Sequence, residues 1–398
     1  MTFSIKSKWK TQEEKLDVRN RSKTWSIGLP FGAQDENRIG LIPSAVCTLT
    51  EQGYRVIVES KAGIKAGYSD KDYINAGAEI TQSRKEIYQA DIILQCSPPT
   101  MEEMELMTQE QIFISPLHVA TRSYELIETM KKKKIIGLAM EYLKDKNGTF
   151  PIVRILSELA GTAAILQAGQ LLSQSDDGPG LLLGGISGVC PPNVVILGGG
   201  VVAEYAIRAS LGLGLQISVF DNNISKLMRL QNIIGQRLNT SALNYEALQK
   251  ALLSADVVIG AMHSVNGRTQ MIVSEEMVMR MKNGSVIIDI SIDQGGCIET
   301  SEETNHKEPT FVKHGVIHYC VPNISAKYPK SASIAISNIV SSIFSDANMA
   351  SNVGQFILHF EGLAHGVYMY KGSITNKYLS SKFGLTYTEL ELLLNPDI

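Results

Sequence analysis

The feature that most constrains this fold is a glycine-rich junction between an apolar strand and a helix, at residues 193–223. Val194-Val195-Ile196-Leu197 is a continuous apolar run, which is typical of a strand covered on both faces. Gly198-Gly199-Gly200-Val201-Val202-Ala203 follows it and fits the spacing G-x-G-x-x-[GA]. After the helix, the strand QISVF ends at Asp221. This order predicts a βαβ unit within a doubly wound parallel sheet.

The small residues of the junction suit a dinucleotide. Gly198 permits a tight turn, Gly200 lets the backbone approach a pyrophosphate, and Ala203 lets the helix pack closely on the strand. The free N–H groups at the helix start, where Val201 and Val202 lie, can bind phosphate oxygens. A tight strand–helix turn without a ligand remains the alternative.

Asp221 indicates which dinucleotide is preferred. A carboxylate at this strand end can accept hydrogen bonds from both ribose hydroxyls and would repel a 2′-phosphate. Asn222 and Asn223 follow it, with no arginine beside them. The expected cofactor is therefore NAD(H) rather than NADP(H).

The rest of the chain predicts an α/β protein of two domains. Apolar strands alternate with helical segments through residue 150, and one of these helical segments is SDKDYINAGAEI (69–80). A long helix is expected over about 153–175. A loop rich in glycine and proline leads into the junction, and a second alternating series follows. We expect the segment 331–370 to be mostly helical. A length of 398 residues suits two domains.

Composition excludes several classes of function. With 37 Lys+Arg against 40 Asp+Glu, the formal charge is -3, so a nucleic-acid partner is not expected. The five cysteines form no CxxC pair and no metal-binding spacing with the histidines, which favours reduced thiols in a cytoplasmic protein. No apolar stretch is long enough for a membrane span, and residues 1–25 resemble a charged extension rather than a signal peptide.

Three further residues are candidates for chemistry. Asp293 follows the apolar run VIIDISI on a thin loop closed by two glycines, near the expected nicotinamide end of the cofactor. His118 comes just after the strand-like run ISPL, and Arg38 lies in a loop before a helix. Each also has a simpler interpretation, as a turn-capping aspartate, a core or surface histidine, and a surface cation. Asp289, inside the apolar run, is expected to be a structural, hydrogen-bonded residue.

The motifs taken together resemble the alanine dehydrogenase family. They occur in the family's order: IGLP, ENRIGLIPSAV, LHVA, LSELAG, VVILGGG, FDNN and DISIDQGG. This family shares its fold with the nucleotide-binding subunit of proton-translocating transhydrogenase, but DISIDQGGC and YCVPN fit the dehydrogenase branch better. The resemblance covers roughly residues 26–385.

The resemblance implies an architecture and an activity. Two doubly wound Rossmann-like domains are expected, with an NAD domain (152–329) inserted into a discontinuous substrate domain (1–151 and 330–398). The activity would be NAD-dependent, reversible oxidative deamination of L-alanine to pyruvate and ammonium. Members are typically soluble hexamers, so the expected partners are an amino acid or keto acid and further copies of the chain.

The resemblance also assigns residues. Arg38 would bind the substrate carboxylate, and His118 and Asp293 would be catalytic. Other positions would contact the cofactor: Ser157, Gly198, Gly200, Val201, Val202, Ala203, Asp221, Lys226, Met262, His263, Ile290, Asp293 and Asn323.

One departure bears on the substrate. The family usually has a K-x-K-E-P-type run after the strand ADIIL. Its two lysine positions are Gln95 and Ser97 here, and the substrate-binding one falls on Ser97. A serine gives one neutral hydrogen bond in place of a charge-assisted one, and losing that cation could cost about 10²–10⁴-fold in rate. Two alternatives therefore stay open: the same chemistry on another amino or imino acid, and a weakly catalytic NAD-binding paralogue. A transhydrogenase subunit is disfavoured because membrane segments are absent.

Overall fold

A computed structural model describes residues 24–33, 36–119, 122–174, 178–263, 268–347, 350–359 and 361–394. The predicted extension at 1–25 lies outside the described residues except for its last two. Of these, Trp25 is buried, and its indole N–H donates to the carbonyl of Ala350 (2.9 Å).

The first sheet has the strand order β15-β14-β6-β5-β4-β1-β2-β3 among the described residues. Its strands are β1 (Ser26–Leu29), β2 (Arg55–Glu59), β3 (Glu79–Thr81), β4 (Ile92–Leu94), β5 (Ile112–Ser115), β6 (Ile136–Ala139), β14 (Val367–Tyr370) and β15 (Ser373–Ile374). Strands β1 to β6 pair in parallel, whereas β14 is antiparallel to both β6 and β15.

The second sheet has the order β12-β13-β11-β10-β7-β8-β9. Its strands are β7 (Asn193–Leu197), β8 (Gln216–Phe220), β9 (Asn239–Ser241), β10 (Val257–Gly260), β11 (Val286–Asp289), β12 (Thr310–Lys313) and β13 (Val316–Tyr319). All neighbours pair in parallel except β12 with β13.

Helices cover both faces of each sheet. They are α1 (Pro43–Glu51), α2 (Asp70–Asn75), α3 (Arg84–Ile87), α4 (Met101–Leu106), α5 (Tyr124–Lys132), α6 (Pro151–Leu172), α7 (Val201–Gly212), α8 (Ile224–Ile234), α9 (Tyr245–Ser254), α10 (Glu275–Met279), α11 (Pro329–Asp346), α12 (Val353–His359), α13 (Glu361–Gly366), α14 (Lys377–Phe383) and α15 (Leu390–Leu394). Short 3₁₀ turns occupy Ile64–Ala66, Met140–Tyr142, Ile290–Gln294 and Ile324–Lys327.

The predicted fold class is confirmed. The parallel part of each sheet has the doubly wound order 3-2-1-4-5-6, counted from its own first strand. Strands β7 to β13 all lie between β6 and β14 in sequence, so the second sheet is an insertion into the first. We call the layers around the first sheet the first lobe, and those around the second sheet the second lobe.

Alternation along each strand explains the layered cores. In β2, Val56 and Val58 belong to one apolar cluster of the first lobe, and Ile57 belongs to the cluster on the opposite face. Two further clusters cover the faces of the second sheet. Both faces of each sheet are therefore buried, as expected for parallel sheets.

Two predictions about local structure were wrong. Val367–Tyr370, expected to be helical, is β14; Gly137 on β6 leaves room for the Tyr368 ring, since a Cβ there would lie 2.3 Å from that ring. Glu79 and Ile80, placed within a helical segment, belong to β3. The helix α2 ends earlier because Gly77 adopts a left-handed φ of 87°.

Helix α6 connects the two lobes. Its Ile152 packs in the first lobe's core, whereas the stretch from Ala160 onward packs in the second lobe's core. By length and composition alone α6 could cross a membrane, but a core helix of a soluble protein passes the same test. The predicted domain boundaries, at 151/152 and 329/330, fall at the first residues of α6 and α11 and remain a prediction.

The buried His318 on β13 makes stability depend on pH. Its Nδ1 lies 3.0 Å from the carbonyl oxygen of Val316, and its Nε2 lies 2.8 Å from the hydroxyl of Thr300. A carbonyl only accepts, so we assign the proton to Nδ1 and let Thr300 donate to Nε2. Burial lowers the pKa of His318 below its ordinary value of 6.5.

We expect the free energy of unfolding to increase as the pH rises toward 6.5 from the lowered pKa of His318. In that interval the unfolded chain binds a proton that the folded chain does not. Urea unfolding at about pH 5.5 and about pH 7.5 measures the dependence, and His318→Gln should flatten it. An equal dependence in both proteins would contradict this assignment.

Candidate active site between the lobes

The candidate residues follow the strands at which each sheet reverses its order. In the first sheet this point lies between β1, which leads to Arg38, and β4, which leads to Ser97. In the second it lies between β7, which leads to the glycine loop, and β10, which leads to Met262 and His263. Ligands of doubly wound sheets bind in the crevice at this point. The fold therefore places the residues singled out in the sequence at the crevice of each sheet.

The glycine loop is shaped to receive a diphosphate. Gly198 has a left-handed φ of 118°, and a Cβ there would lie 2.3 Å from the carbonyl oxygen of Ala261. Gly200 is the N-cap of α7 without a side-chain hydrogen bond to the first turn, and a Cβ on it would meet no atom within 4 Å. Ala203 is fully buried against the sheet. Uncapped N–H groups facing open space are what a bound diphosphate requires.

Asp221 holds this loop in shape. Its carboxylate is buried and accepts the backbone N–H groups of Gly199 (2.6 Å) and Asn223 (2.7 Å). The ammonium group of Lys226 lies 3.8 Å away at the surface. A carboxylate has about four acceptor positions, so these two N–H groups use about half of them.

The other proposed cofactor residues lie around the same crevice. Met262 donates its backbone N–H to the hydroxyl of Ser291 (2.9 Å), in the turn that begins at Ile290. His263 has exposed surface, but the surrounding protein desolvates its ring, and this desolvation together with the nearby Lys226 lowers its pKa. Ser157 is half-buried on α6, one turn before Gly161, which packs against the backbone of α7.

Arg38 is buried and held by a carboxylate two residues away. Its Nε and Nη2 donate to the two carboxylate oxygens of Glu36 at 2.7 and 2.6 Å. Burial opposes its charge, but the hydrogen bond and charge of Glu36 outweigh burial and raise the pKa of Arg38. Nη1 donates to the hydroxyl of Ser325 (2.9 Å), so the guanidinium also reaches the chain that leaves the second sheet.

Ser97 lies beside Arg38. The carbonyl oxygen of the preceding residue, Cys96, accepts a long hydrogen bond from Nη2 of Arg38 (3.4 Å). Ser97 is buried, and the amide of Gln95 donates to its carbonyl oxygen (3.0 Å). Gln95 also donates to Glu103 (3.1 Å), so both positions of the family's lysine run are occupied by neutral side chains turned into the protein.

Asp293 lies near enough to Arg38 and His118 for their charges to act on its carboxylate. Its side chain has exposed surface, yet protein surrounds it closely enough that desolvation raises its pKa. The N–H of Asn323 (2.9 Å) and the charges of His118 and Arg38 act in the opposite direction. The structure thus brings together three residues that are far apart in sequence and come from both lobes.

Glu141 was not predicted from sequence, although it fixes the turn that carries His118. His118 has a left-handed φ of 48° and an exposed ring. The carboxylate of Glu141 accepts the backbone N–H groups of Leu117 and His118, both at 2.9 Å. The only sequence signal was a carboxylate in the turn that follows β6, the strand next to β5.

Asp289 fixes the turn that carries Asp293. One carboxylate oxygen accepts the N–H of Ser291 (3.0 Å), and the other accepts the N–H of Cys297 (3.0 Å) and the hydroxyl of Ser301 (2.8 Å). Burial raises the pKa of Asp289, and these donors oppose that change. A Cβ on Gly260 would lie 2.5 Å from the same carboxylate. The expectation of a structural, hydrogen-bonded Asp289 therefore matches its contacts.

Comparison with known families decides the relationship. The models for the N-terminal and C-terminal domains described as alanine dehydrogenase/PNT match residues 32–160 and 164–377. An alanine dehydrogenase of Staphylococcus haemolyticus (strain JCSC1435) is 35% identical over 375 residues, which are 93% of this chain and 100% of the relative. Alanine dehydrogenase 2 of Staphylococcus aureus (strain MRSA252) is 34% identical over 93% of this chain and 99% of its own. The chain belongs to the alanine dehydrogenase/PNT family.

Solved structures agree with this membership. A structure of L-alanine dehydrogenase superposes with a TM-score of 0.84 and 34% identity, covering 90% of this chain and 99% of its own. A transhydrogenase from Sinorhizobium meliloti has a TM-score of 0.74 at 20% identity over 88% of this chain and 99% of its own, and shows the shared fold alone. This family member is an oxidoreductase of the alanine dehydrogenase type, and family and fold together imply a nicotinamide dinucleotide cofactor.

We expect Gly200→Ala to weaken NADH binding by about tenfold or more without loss of thermal stability. The added methyl group meets no protein atom within 4 Å and projects into the loop that would bind the diphosphate. Gly212→Ala, at the far end of α7, is the matched control because its Cβ also meets nothing. Equal NADH affinity in the two variants, measured by fluorescence titration, would contradict the assigned diphosphate site.

We expect Asp289→Asn to destabilise the protein by about 2–4 kcal/mol and to lower turnover, because an amide cannot accept all the hydrogen bonds of the carboxylate. Asp256→Asn is the control. Asp256 is buried at the opposite end of the same sheet, where it accepts the N–H of Asn193 (2.8 Å) and pairs with Lys282 (2.7 Å). Urea unfolding and turnover should separate the two variants. Equal loss of turnover in both would show that Asp289 affects only stability.

Proposed function

We propose that this protein catalyses the NAD-dependent, reversible oxidative deamination of L-alanine. L-Alanine, NAD⁺ and water would give pyruvate, NADH, ammonium and a proton. The observation that carries the proposal is the convergence of Arg38, His118 and Asp293 in the crevice that also opens on the glycine loop. The names of the 34–35% identical relatives support the same activity.

Arg38 would bind and orient the substrate carboxylate. Its guanidinium is kept charged by Glu36, and one N–H of Nη1 is left after the contact with Ser325. A charge-assisted hydrogen bond to the carboxylate would hold the amino acid with its Cα toward the second lobe.

His118 and Asp293 would move and stabilise charge. When bound, the nicotinamide dinucleotide supplies the hydride acceptor for Cα. The imidazole of His118 would take the proton from the attacking water and return one to the departing amine. The carboxylate of Asp293 would stabilise the iminium cation formed from the substrate, or orient the imidazole and water. Approach of the lobes would exclude bulk water while hydride leaves Cα.

NAD(H) is the proposed form of the cofactor. Support comes from Asp221, whose buried carboxylate keeps two acceptor positions near the expected adenosine ribose and would repel a 2′-phosphate. The ammonium group of Lys226 lies 3.8 Å from the carboxylate of Asp221 and would face the same ribose.

Ser97 supports a second candidate, the same chemistry on another amino or imino acid. With Gln95 and Ser97 neutral and Glu36 paired to Arg38, the substrate region has less positive charge than the family's lysine would give it. The same shortage of positive charge in the substrate region would also suit the other alternative, a weakly catalytic NAD-binding paralogue.

We also propose a cytoplasmic homo-oligomer, a hexamer by resemblance, with the domain boundaries predicted above. Support for self-association comes from the loop between α6 and β7, where Leu182, Ile186 and Val189 are exposed.

The test is turnover by the purified protein. We expect NADH to bind, and its absorbance at the nicotinamide band to fall when pyruvate and ammonium are both added. A panel of 2-oxo acids distinguishes alanine from the other candidates. Binding without turnover on the whole panel would select the weakly catalytic paralogue.

We expect Ser97→Lys to raise kcat/KM for pyruvate by about 10²-fold if the missing lysine limits the reaction. The ammonium group would add a charge-assisted contact beside Arg38. Ser173→Lys, at the partly exposed C-cap of α6, controls for added charge. No gain from Ser97→Lys would indicate that the pocket suits a different substrate.

A further inference from the structure

A line of three hydrogen bonds crosses the crevice from Arg38 to Asp293. Nη1 of Arg38 donates to the hydroxyl of Ser325 (2.9 Å), and that hydroxyl donates to Oδ1 of Asn323 (2.8 Å). The backbone N–H of Asn323 then donates to Oδ1 of Asp293 (2.9 Å). The line begins in the loop after β1 and ends in the turn after β11, so it joins the two lobes.

All three bonds point in the same direction, from cation to anion. Asn323 accepts through its side-chain Oδ1 and donates through its backbone N–H, so the line fixes the relative positions of the charged groups. Ser325 is buried and is the member that both accepts and donates through one atom, its Oγ. Ser325→Ala would therefore remove both the bond from Arg38 and the bond to Asn323.

The backbone of Asn323 is set for this role. It has a left-handed φ of 53° and ψ of 50°, a conformation that asparagine tolerates better than most residues. Its side chain is held by Ser325, and its N–H is thereby aimed at Asp293. A second contact beside it, from the amide of Asn37 to the carbonyl oxygen of Ala326 (3.3 Å), holds the same two segments together.

We propose that Ser325 is a positioning residue that couples the guanidinium of Arg38 in the first lobe to the carboxylate of Asp293 in the second, through Asn323. The coupling fixes the separation at which the substrate carboxylate and the reacting carbon are presented. The inference rests on the proposed function for its kinetic consequence, but not for the coupling itself.

The test compares Ser325→Ala with Ser337→Ala. Ser337 is fully buried on α11, and its hydroxyl accepts the backbone N–H of Ile42 (3.0 Å), in the same loop that carries Arg38. Both variants remove one buried hydroxyl that ties this loop to the segment after β13, but only Ser325 contacts the guanidinium. Melting temperature and NADH affinity check that both variants fold and bind the cofactor.

The kinetic readout is KM for the 2-oxo acid and kcat, with ammonium and NADH saturating. Ser325→Ala should lower kcat/KM by about tenfold or more, mainly through KM, because Arg38 loses a charge-assisted hydrogen bond. Ser337→Ala should leave both constants unchanged. The effects of Ser325→Ala and Arg38→Lys should also fail to add, since both act on one line of contacts. Equal kinetics in the two serine variants would overturn the coupling.

A second readout does not require turnover. The carboxyl carbon of Asp293, labelled with ¹³C and assigned through Asp293→Asn, reports its titration by NMR in the intact protein. Arg38, His118 and Glu303 are the charged groups that act on it. In Ser325→Ala the titration should move to higher pH, since Arg38 and the N–H of Asn323 are less firmly placed. An unmoved titration overturns the proposal, and a wild-type protein that turns over no oxo acid would count against the proposed function alone.

Discussion

The geometry of the crevice depends on carboxylates that accept backbone N–H groups of the loops. Asp221 binds the glycine loop and the turn after β8, Glu141 binds the turn at His118, and Asp289 binds both ends of the turn that carries Asp293. Loops after parallel strands have few neighbours to satisfy their N–H groups, so an acidic side chain on the same or an adjacent strand end does so. Glu141 and Asp289 thereby hold the turns that carry His118 and Asp293, whereas Asp221 is also proposed to contact the cofactor.

Charge in the substrate region is balanced differently from that in the cofactor region. Around Arg38, the buried Glu36 cancels most of the positive charge, and Ser97 adds none. Near the glycine loop, uncapped N–H groups and the exposed Lys226 leave a positive potential for a diphosphate. The proposed cofactor region therefore has the features expected for binding a diphosphate. The proposed substrate region would rely on a single paired arginine and on the alignment of Arg38 with Asp293.

Local signals in the sequence accounted for the glycine loop, Asp221 and the doubly wound fold, because all the residues of one βαβ unit lie within about 30 positions. Arg38, His118 and Asp293 were candidates from their places after apolar strands, but their roles came only from the resemblance. Their meeting depends on the loops after β1, β5 and β11, which belong to two different sheets. Glu141 was missed for a similar reason, because Leu117 and His118, whose N–H groups it accepts, lie 24 and 23 residues earlier. Glu36 is only two residues from Arg38, but their pairing depends on the conformation of the loop. Strand β14 was missed because its partner β6 lies far earlier in the chain, and the space that Gly137 leaves for Tyr368 has no local signature.

The insertion of the second lobe has a mechanical consequence. The backbone passes between lobes twice, once along α6 and once into α11, and these two crossings pack against each other. A body tethered at two adjacent points swings more easily about the line through them than it twists or slides. The second lobe would then rotate about an axis along α6 and α11. The loop after β1 would lie close to this axis, because the N–H groups of Ile39 and Ile42 donate to Ser333 and Ser337 of α11.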